Sequence, residues 1–230
     1  MVFDRAAGRV VAERQARRVF RSASVVKILL ALDYLQGREV SAGDRKLLGV
    51  MLRSSDDRAA TELWRRGGQR RVIERMVRRV GLRETAPPPA DKPGFWGYTA
   101  ISAGDVVRTY RYLLDEAPVG QREFVLEQLR KSTPCGMDGF DQTFGIPRAV
   151  PRPWAVKQGW SGFGDTPAEP CRGGQVRQVA ARPDLGIGRP VLHTTGVVGE
   201  KIVVVLTLHP AGTSFRAAAG RVTEIAGQLL

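Results

Sequence analysis

Cysteine, histidine and long apolar runs are scarce in this 230-residue chain. Its two cysteines and two histidines do not stand in ligand spacing, so no four-ligand metal site is read, and no cofactor is expected. Cys135 and Cys171 lie far apart in loop-like sequence. They pair if the protein is exported, or else they are two unrelated free thiols. No uninterrupted apolar stretch of about 18 residues occurs, so no membrane span is read. The opening segment MVFDRAAGRVVAER lacks the continuous apolar core of a signal peptide, and compartment is not legible from this end. His193 lies in strand-like sequence and His209 just beyond another such run, neither with a carboxylate partner nearby. Both read as structural, which argues against a Ser-His-Asp triad.

Charge of one sign dominates. The formal net charge is +13, and arginine supplies 30 of the 36 basic residues. The densest run, RRGGQRRVIERMVRRVGLR, carries Val72, Ile73, Met76, Val77 and Val80 as an apolar stripe with arginines around it. That is the solvated face of an amphipathic helix. Without a helix-turn-helix, zinc-finger or aromatic-basic pattern, no nucleic-acid partner is expected.

With 43% hydrophobic residues the chain can bury one sizeable core. Residues 1–14 read as a hairpin turning at Ala7-Gly8. Ser41 with Asp44 signals a cap for a helix over 42–53, and Gly67-Gly68 and Gly81 stop the next two helices. Ser102 opens another helix, GQREFVLEQLRK forms one more, and 132–152 is a long loop. The period then changes to that of strands in PWAVKQGW, VLHTTGVVG and KIVVVLTLHP, the last two joined at Gly199-Glu200. A Gly/Pro-rich insertion fills 161–189, and a helix over 214–229 closes the chain. The layout predicts an α/β (α+β) fold, with one antiparallel sheet built from both chain ends. Its α/β lobe takes 1–37 plus 150–230, and a helical lobe takes 38–149.

One helix poses a chemical problem. FRSASVVKILLALDYL is apolar on every side, which marks a buried helix, yet Lys27 stands inside it three residues after Ser24. Burying an unpaired ammonium is costly, so Lys27 needs polar partners or must be neutral. A neutral amine beside a hydroxyl is a base beside a nucleophile. Two further short motifs follow: Ser55-Asp56-Asp57 between two helices, and Lys157-Gln158-Gly159 on a strand. Taken singly, these are helix-cap residues and an edge-strand charge.

In their order, S-x-x-K, S-D-x and K-x-G resemble the penicillin-recognising serine enzymes, the class A β-lactamases and penicillin-binding proteins. The resemblance implies a β-lactamase/transpeptidase-like fold. It makes Ser24 the nucleophile, Lys27 the nearest base, Ser55 a proton relay and Lys157 a source of positive potential for a substrate carboxylate. It also implies an oxyanion hole from the backbone N–H groups of Ser24 and Trp160, with Asp57, Gln158 and Gly159 as further substrate-binding positions. The substrate would be a small molecule or peptide, either a β-lactam or a D-alanyl stem peptide, and the location outside the cell or in the cell envelope. The cytoplasm stays open because no signal peptide is read.

The departures from the pattern matter too. Asp57 replaces an asparagine and, as a carboxylate, only accepts; it would also hold Lys27 as a cation. Gln158 replaces Thr or Ser and donates from further out. For deacylation the family uses a loop Glu; the corresponding loop, 82–98, offers only Glu84 and Asp91, either of which also reads as an ordinary solvated charge. Acylation is thus better supported than rapid turnover. The alternatives are a D-alanyl-D-alanine carboxypeptidase and a non-catalytic binder of a cell-wall fragment or protein. Oligomeric state is not legible.

Overall fold

A computed structural model describes residues 1–37, 39–171 and 189–230. β1 (Val2–Asp4) and β2 (Arg9–Ala12) form the opening antiparallel hairpin. β3 (Val19–Arg21) leads into a 3-10 turn, Ala23–Val26, and then α1 (Lys27–Tyr34). Every residue of α1 is buried, as its all-round apolar sequence requires.

α2 (Ala42–Arg53) starts on Ser41, whose hydroxyl accepts from Asp44 N. α3 (Asp57–Arg66) starts on Asp56, whose carboxylate accepts from Ala59 N. Both side chains satisfy backbone donors that the first helical turn leaves free. α4 (Arg70–Val80) ends at Gly81, which takes a left-handed φ of +68°. β4 (Ala100–Ser102) runs into α5 (Ala103–Arg111), which continues as a π-helical stretch, Tyr112–Glu116. α6 (Val119–Arg130) and the short α7 (Ile146–Ala149) complete the middle. The strands β5 (Trp154–Ser161), β6 (Val191–Val198) and β7 (Lys201–Leu208) follow, then α8 (Phe215–Leu229).

The main sheet has the order β2-β1-β7-β6-β5 and is antiparallel throughout, so strands from both ends of the sequence lie side by side. Between them the chain is chiefly helical, giving the mixed α/β architecture anticipated. One element was not anticipated: β3 pairs with β4 in a separate two-stranded sheet, Phe20 opposite Ile101. Of the Gly/Pro-rich insertion, residues 172–188 lie outside the described residues.

The largest core wraps α1. Leu30 and Leu32 pack with Leu48 and Met51 of α2, Leu63 of α3, Ile73 and Met76 of α4, and Val107 of α5. Truncating such a leucine to alanine costs about 2–5 kcal/mol. A second cluster joins Ala218 and Val222 of α8 to Phe140, Phe144, Trp160, Leu192 and Val205. α1 is thereby fixed from all sides, and the groups at its N-terminal end are fixed with it. Among the described residues no helix is long and apolar enough to cross a membrane.

Candidate active site

Ser24 is the second residue of the 3-10 turn that opens α1. Ser22 N donates to Thr99 O and Val25 N to Ser22 O, which sets the direction of entry. Immediately before Ser24, Ala23 takes φ +44°, and across the site Ser55 takes φ +56°. A left-handed conformation costs a residue with a side chain about 1–2 kcal/mol, and it persists only where its surroundings hold it. Strain is therefore stored at both serine-bearing turns.

The side chains meet at Lys27. Its Nζ donates to Ser24 Oγ at 2.9 Å, to Ser55 O at 2.7 Å and to Asp57 Oδ1 at 2.6 Å, and lies 3.3 Å from Ser55 Oγ. The Trp96 ring faces the same ammonium with its centroid 4.7 Å away, a cation–π contact. Lys157 Nζ lies 2.8 Å from Ser55 Oγ and 3.2 Å from Gln158 O. Ser24, Lys27, Ser55, Lys157 and Asp57 thus form one connected set. Neither amine reaches solvent: Lys27 is 0% and Lys157 1% exposed.

The two amines differ electrically. Lys27 is ion-paired with Asp57. Burial, and next the positive charge of Lys27, push the Lys157 amine well below the usual lysine range, with Asp138 pulling in the other direction. This weighs against the standing positive charge expected at Lys157 in the free protein. The Lys157 backbone is held in place by Thr195, whose hydroxyl donates to Lys157 O at 2.8 Å and lies 3.0 Å from the buried Tyr110 hydroxyl.

β5 is the sheet edge nearest Ser24. A Cβ on Gly159 would stand 3.2 Å from both Ser24 N and Ser22 O and 3.1 Å from Val25 Cγ2, so only glycine fits without displacement. Trp160 follows, its indole N–H donating to Asp138 Oδ2 at 2.9 Å. Gln158 requires correction as a substrate-binding side chain. Alternate residues of a strand point to opposite faces, so Gln158 projects away from the side shared by Lys157 and Gly159. Its amide donates to the carbonyls of Gln142 and Phe144 in the interior.

The two carboxylates considered for deacylation are engaged elsewhere. The backbone of Arg83, Glu84 and Thr85 folds onto the Asp105 carboxylate. This turns Glu84 toward Arg17 at 2.9 Å and the Ser102 hydroxyl at 3.2 Å. The Asp91 side chain is 71% exposed and lies 3.4 Å from Lys92. Neither is hydrogen-bonded to the Ser24 set.

His193 accepts from Thr207 N through Nδ1, and its Nε2 lies 2.9 Å from Arg21 O, a structural arrangement. His209 Nε2 contacts the Thr207 hydroxyl at 2.8 Å. The open question of the cysteines is resolved: Cys135 and Cys171 form a disulfide. Three neighbours of the site carried no signal that singled them out. Trp96 sits in a Pro-rich loop, Tyr110 on an amphipathic helix, and Asp138 in a long loop where one carboxylate looks like any other. Burial raises Asp138 above the usual carboxylate range, and Met137 N ties its loop to Ser54 O, beside Ser55.

No family model matches the chain. Curated relatives are the proteins named "Putative lipoprotein LppW" of Mycobacterium tuberculosis and Mycobacterium bovis, 41% identical over 223 residues. The alignment takes in 91% of this chain, which spans 62% of those relatives' length. Among solved structures, an ancestral class A β-lactamase superposes with a TM-score of 0.67 at 18% identity, covering 99% of this chain and 91% of that one. A β-lactamase from Xanthomonas campestris gives 0.70 at 15% identity, covering 99% and 88%. One from Sphaerobacter thermophilus gives 0.66 at 17%, covering 99% and 89%. At these identities the likeness establishes the fold, and the fold is β-lactamase-like.

Proposed function

We propose that this protein is a serine acyl-transfer enzyme of β-lactamase-like type, acylated at Ser24 by a β-lactam or a D-alanyl amide or ester and slow to release the acyl group. The observation that carries the reading is the connected buried set from Ser24 through Lys27 and Ser55 to Lys157. In this reading Ser24 Oγ attacks the carbonyl carbon and its proton leaves through the Lys27–Ser55 hydrogen bonds. The Lys27 ammonium, already donating to Oγ, stabilises the developing negative charge. The N–H groups of Ser24 and Trp160, brought close by Gly159, receive the carbonyl oxygen. Ser55 delivers a proton to the leaving nitrogen.

Slow release follows from where the carboxylates stand. Glu84 is held by Arg17 and Ser102 and Asp91 is exposed beside Lys92, and an absent general base typically costs about 10²–10⁴ in rate. A penicillin-binding protein or carboxypeptidase acting on peptidoglycan stem peptides fits the same chemistry. The relatives' name and the disulfide, which persists in oxidising compartments, support a place in the cell envelope. The Lys27–Asp57 ion pair favours one competing reading, a non-catalytic member of the fold that binds a cell-wall fragment.

Incubation with a fluorescent penicillin followed by intact-mass measurement separates these readings. One adduct on Ser24 that persists for minutes is expected. No adduct would favour the binder, and rapid release would make the protein an efficient β-lactamase.

A further inference from the structure

Two lysines enter the same buried set, and their surroundings are unequal. Lys27 has three protons to donate as an ammonium, and Asp57, Ser55 O and Ser24 Oγ accept them at 2.6, 2.7 and 2.9 Å. In that state it offers no lone pair to a proton from Ser24. Lys157 has Ser55 Oγ and Gln158 O as its partners, and no carboxylate among the described residues lies within ion-pair distance of it. A neutral amine suits those two partners: one N–H donates to Gln158 O, and the lone pair accepts the Ser55 hydroxyl proton.

We propose that Lys157, acting through Ser55, takes up the Ser24 proton during acylation and returns it to the leaving nitrogen, while Lys27 begins and ends as an ammonium. This rests on the acyl-serine reading above. Ser55 first gives its hydroxyl proton to the Lys157 lone pair and takes one from Lys27 across their 3.3 Å contact, which frees a lone pair on Lys27. As the bond from Ser24 Oγ to the carbonyl carbon forms, the hydroxyl proton passes to that lone pair. Lys27 is unchanged and Lys157 is now the ammonium. When the carbon–nitrogen bond breaks, Ser55 protonates the departing nitrogen and is reprotonated by Lys157. The Ser24 proton ends on the departing nitrogen, and none is exchanged with solvent. The usual assignment, a neutral lysine on the nucleophile's helix, is disfavoured here because Asp57 stands where an uncharged asparagine would leave that lysine freer.

Few other charged or titratable groups bear on Lys157. From α1 comes Lys27, and from the start of α3 comes Asp57, bonded to Lys27 rather than to Lys157. From the loop before α7 comes Asp138, whose carboxylate accepts from the Trp160 indole and Phe140 N. From α5, Tyr110 reaches Thr195 and not the amine, and burial raises its phenol. From β6, His193 lies opposite Gly159, and burial lowers it to about 4, which leaves it neutral. Burial and the Lys27 charge favour the neutral Lys157 amine that the relay needs.

Two measurements decide the matter. The whole chain, labelled with ¹³C at lysine Cε, is followed by NMR between about pH 6 and about pH 10, where ordinary lysines stay largely charged. One lysine resonance in the neutral-amine form is expected near neutrality, and it should vanish in Lys157→Gln. A neutral resonance that survives in Lys157→Gln, or none in the unmodified protein, overturns the proposal. In the second measurement, the rate of Ser24 labelling by a fluorescent penicillin is recorded against pH for the unmodified protein and for Lys157→Arg, which carries a permanent charge and cannot accept a proton. Labelling in the variant should be about 10²–10⁴ slower and should lose its rise with pH. Labelling within tenfold of the unmodified rate, with the same pH profile, refutes the relay. If the unmodified protein forms no adduct, the acyl-serine reading fails and the relay with it. The NMR titration still decides separately which lysine is neutral.

Discussion

Acid should unfold this protein partly through one buried imidazole. His193 is 0% exposed and sits on β6 opposite Gly159 of β5. Its Nδ1 accepts from the backbone N–H of Thr207, and its Nε2 faces Arg21 O, three residues before Ser24. Protonation would put an N–H on Nδ1 pointing at another N–H, so the native fold accommodates only the neutral ring. Burial accordingly lowers His193 to about 4 from the ordinary 6.5. A histidine depressed in the folded state contributes its full stability above about pH 6.5. That contribution is lost as pH falls toward 4, because the unfolded chain takes up the proton first. The interval between those two values, at 1.36 kcal/mol per unit, corresponds to about 3 kcal/mol. Urea unfolding at several pH values between about 7.5 and about 4 gives the profile, and His193→Gln isolates the contribution. The variant should be less stable near neutrality by about 1–3 kcal/mol for its lost hydrogen bonds. It should also lose about 3 kcal/mol less than the unmodified protein on acidification. His209 and Asp138 titrate in both proteins and cancel in the comparison. Parallel profiles for the two proteins would refute the argument.

Ser24→Ala should abolish covalent labelling by a penicillin and leave the thermal midpoint within a few degrees, since alanine suits a helical turn; labelling that persists would remove Ser24 from its role. Gly159→Ala should cost about 1–3 kcal/mol and sharply slow labelling, because its Cβ would meet Ser24 N and Ser22 O at 3.2 Å. Unaltered labelling would mean that the approach of β5 to the turn is not needed. Glu84→Gln should weaken the fold near Arg17 and Ser102 without lengthening the life of the acyl adduct. An adduct trapped only in this variant would restore Glu84 as the water-activating base.

Local chemistry was legible and long-range chemistry was not. α2 was readable to the residue because Ser41 and Asp44 are three positions apart and the cap is a local bond. The β6–β7 hairpin was readable for the same reason, with Gly199-Glu200 marking its turn. β3 and β4, three residues each and far apart in the chain, are too short to show a period. Glu84 looked available because its partner Arg17 lies 67 positions away. Gln158 is a different case: strand alternation alone separates it from Lys157 and Gly159, and matching it to a motif by position concealed that. Lys27 was legible as a buried amine in need of partners, and Asp57 as the carboxylate that would hold it charged. The neutral state favoured at Lys157 depends on packing by elements from across the chain, which no motif records.

The order of the sheet sets a timetable. β1 lies between β2 and β7, and the Met1 amino group donates to Val204 O, 203 positions away. During synthesis the hairpin of β1 and β2 therefore has no partner on its β7 side until the chain through β7 has emerged. The helices between are built from local contacts and can associate first, whereas closing so long a loop is slow. Until then β1 is an unpaired edge, and its companion β2 already carries the exposed Val10 and Val11. Ser24 belongs to the early part of the chain and Lys157 to the late part. The chemistry that joins them is thus among the last things this molecule acquires as it folds, and a chain cut short before β7 would have the serine without its setting.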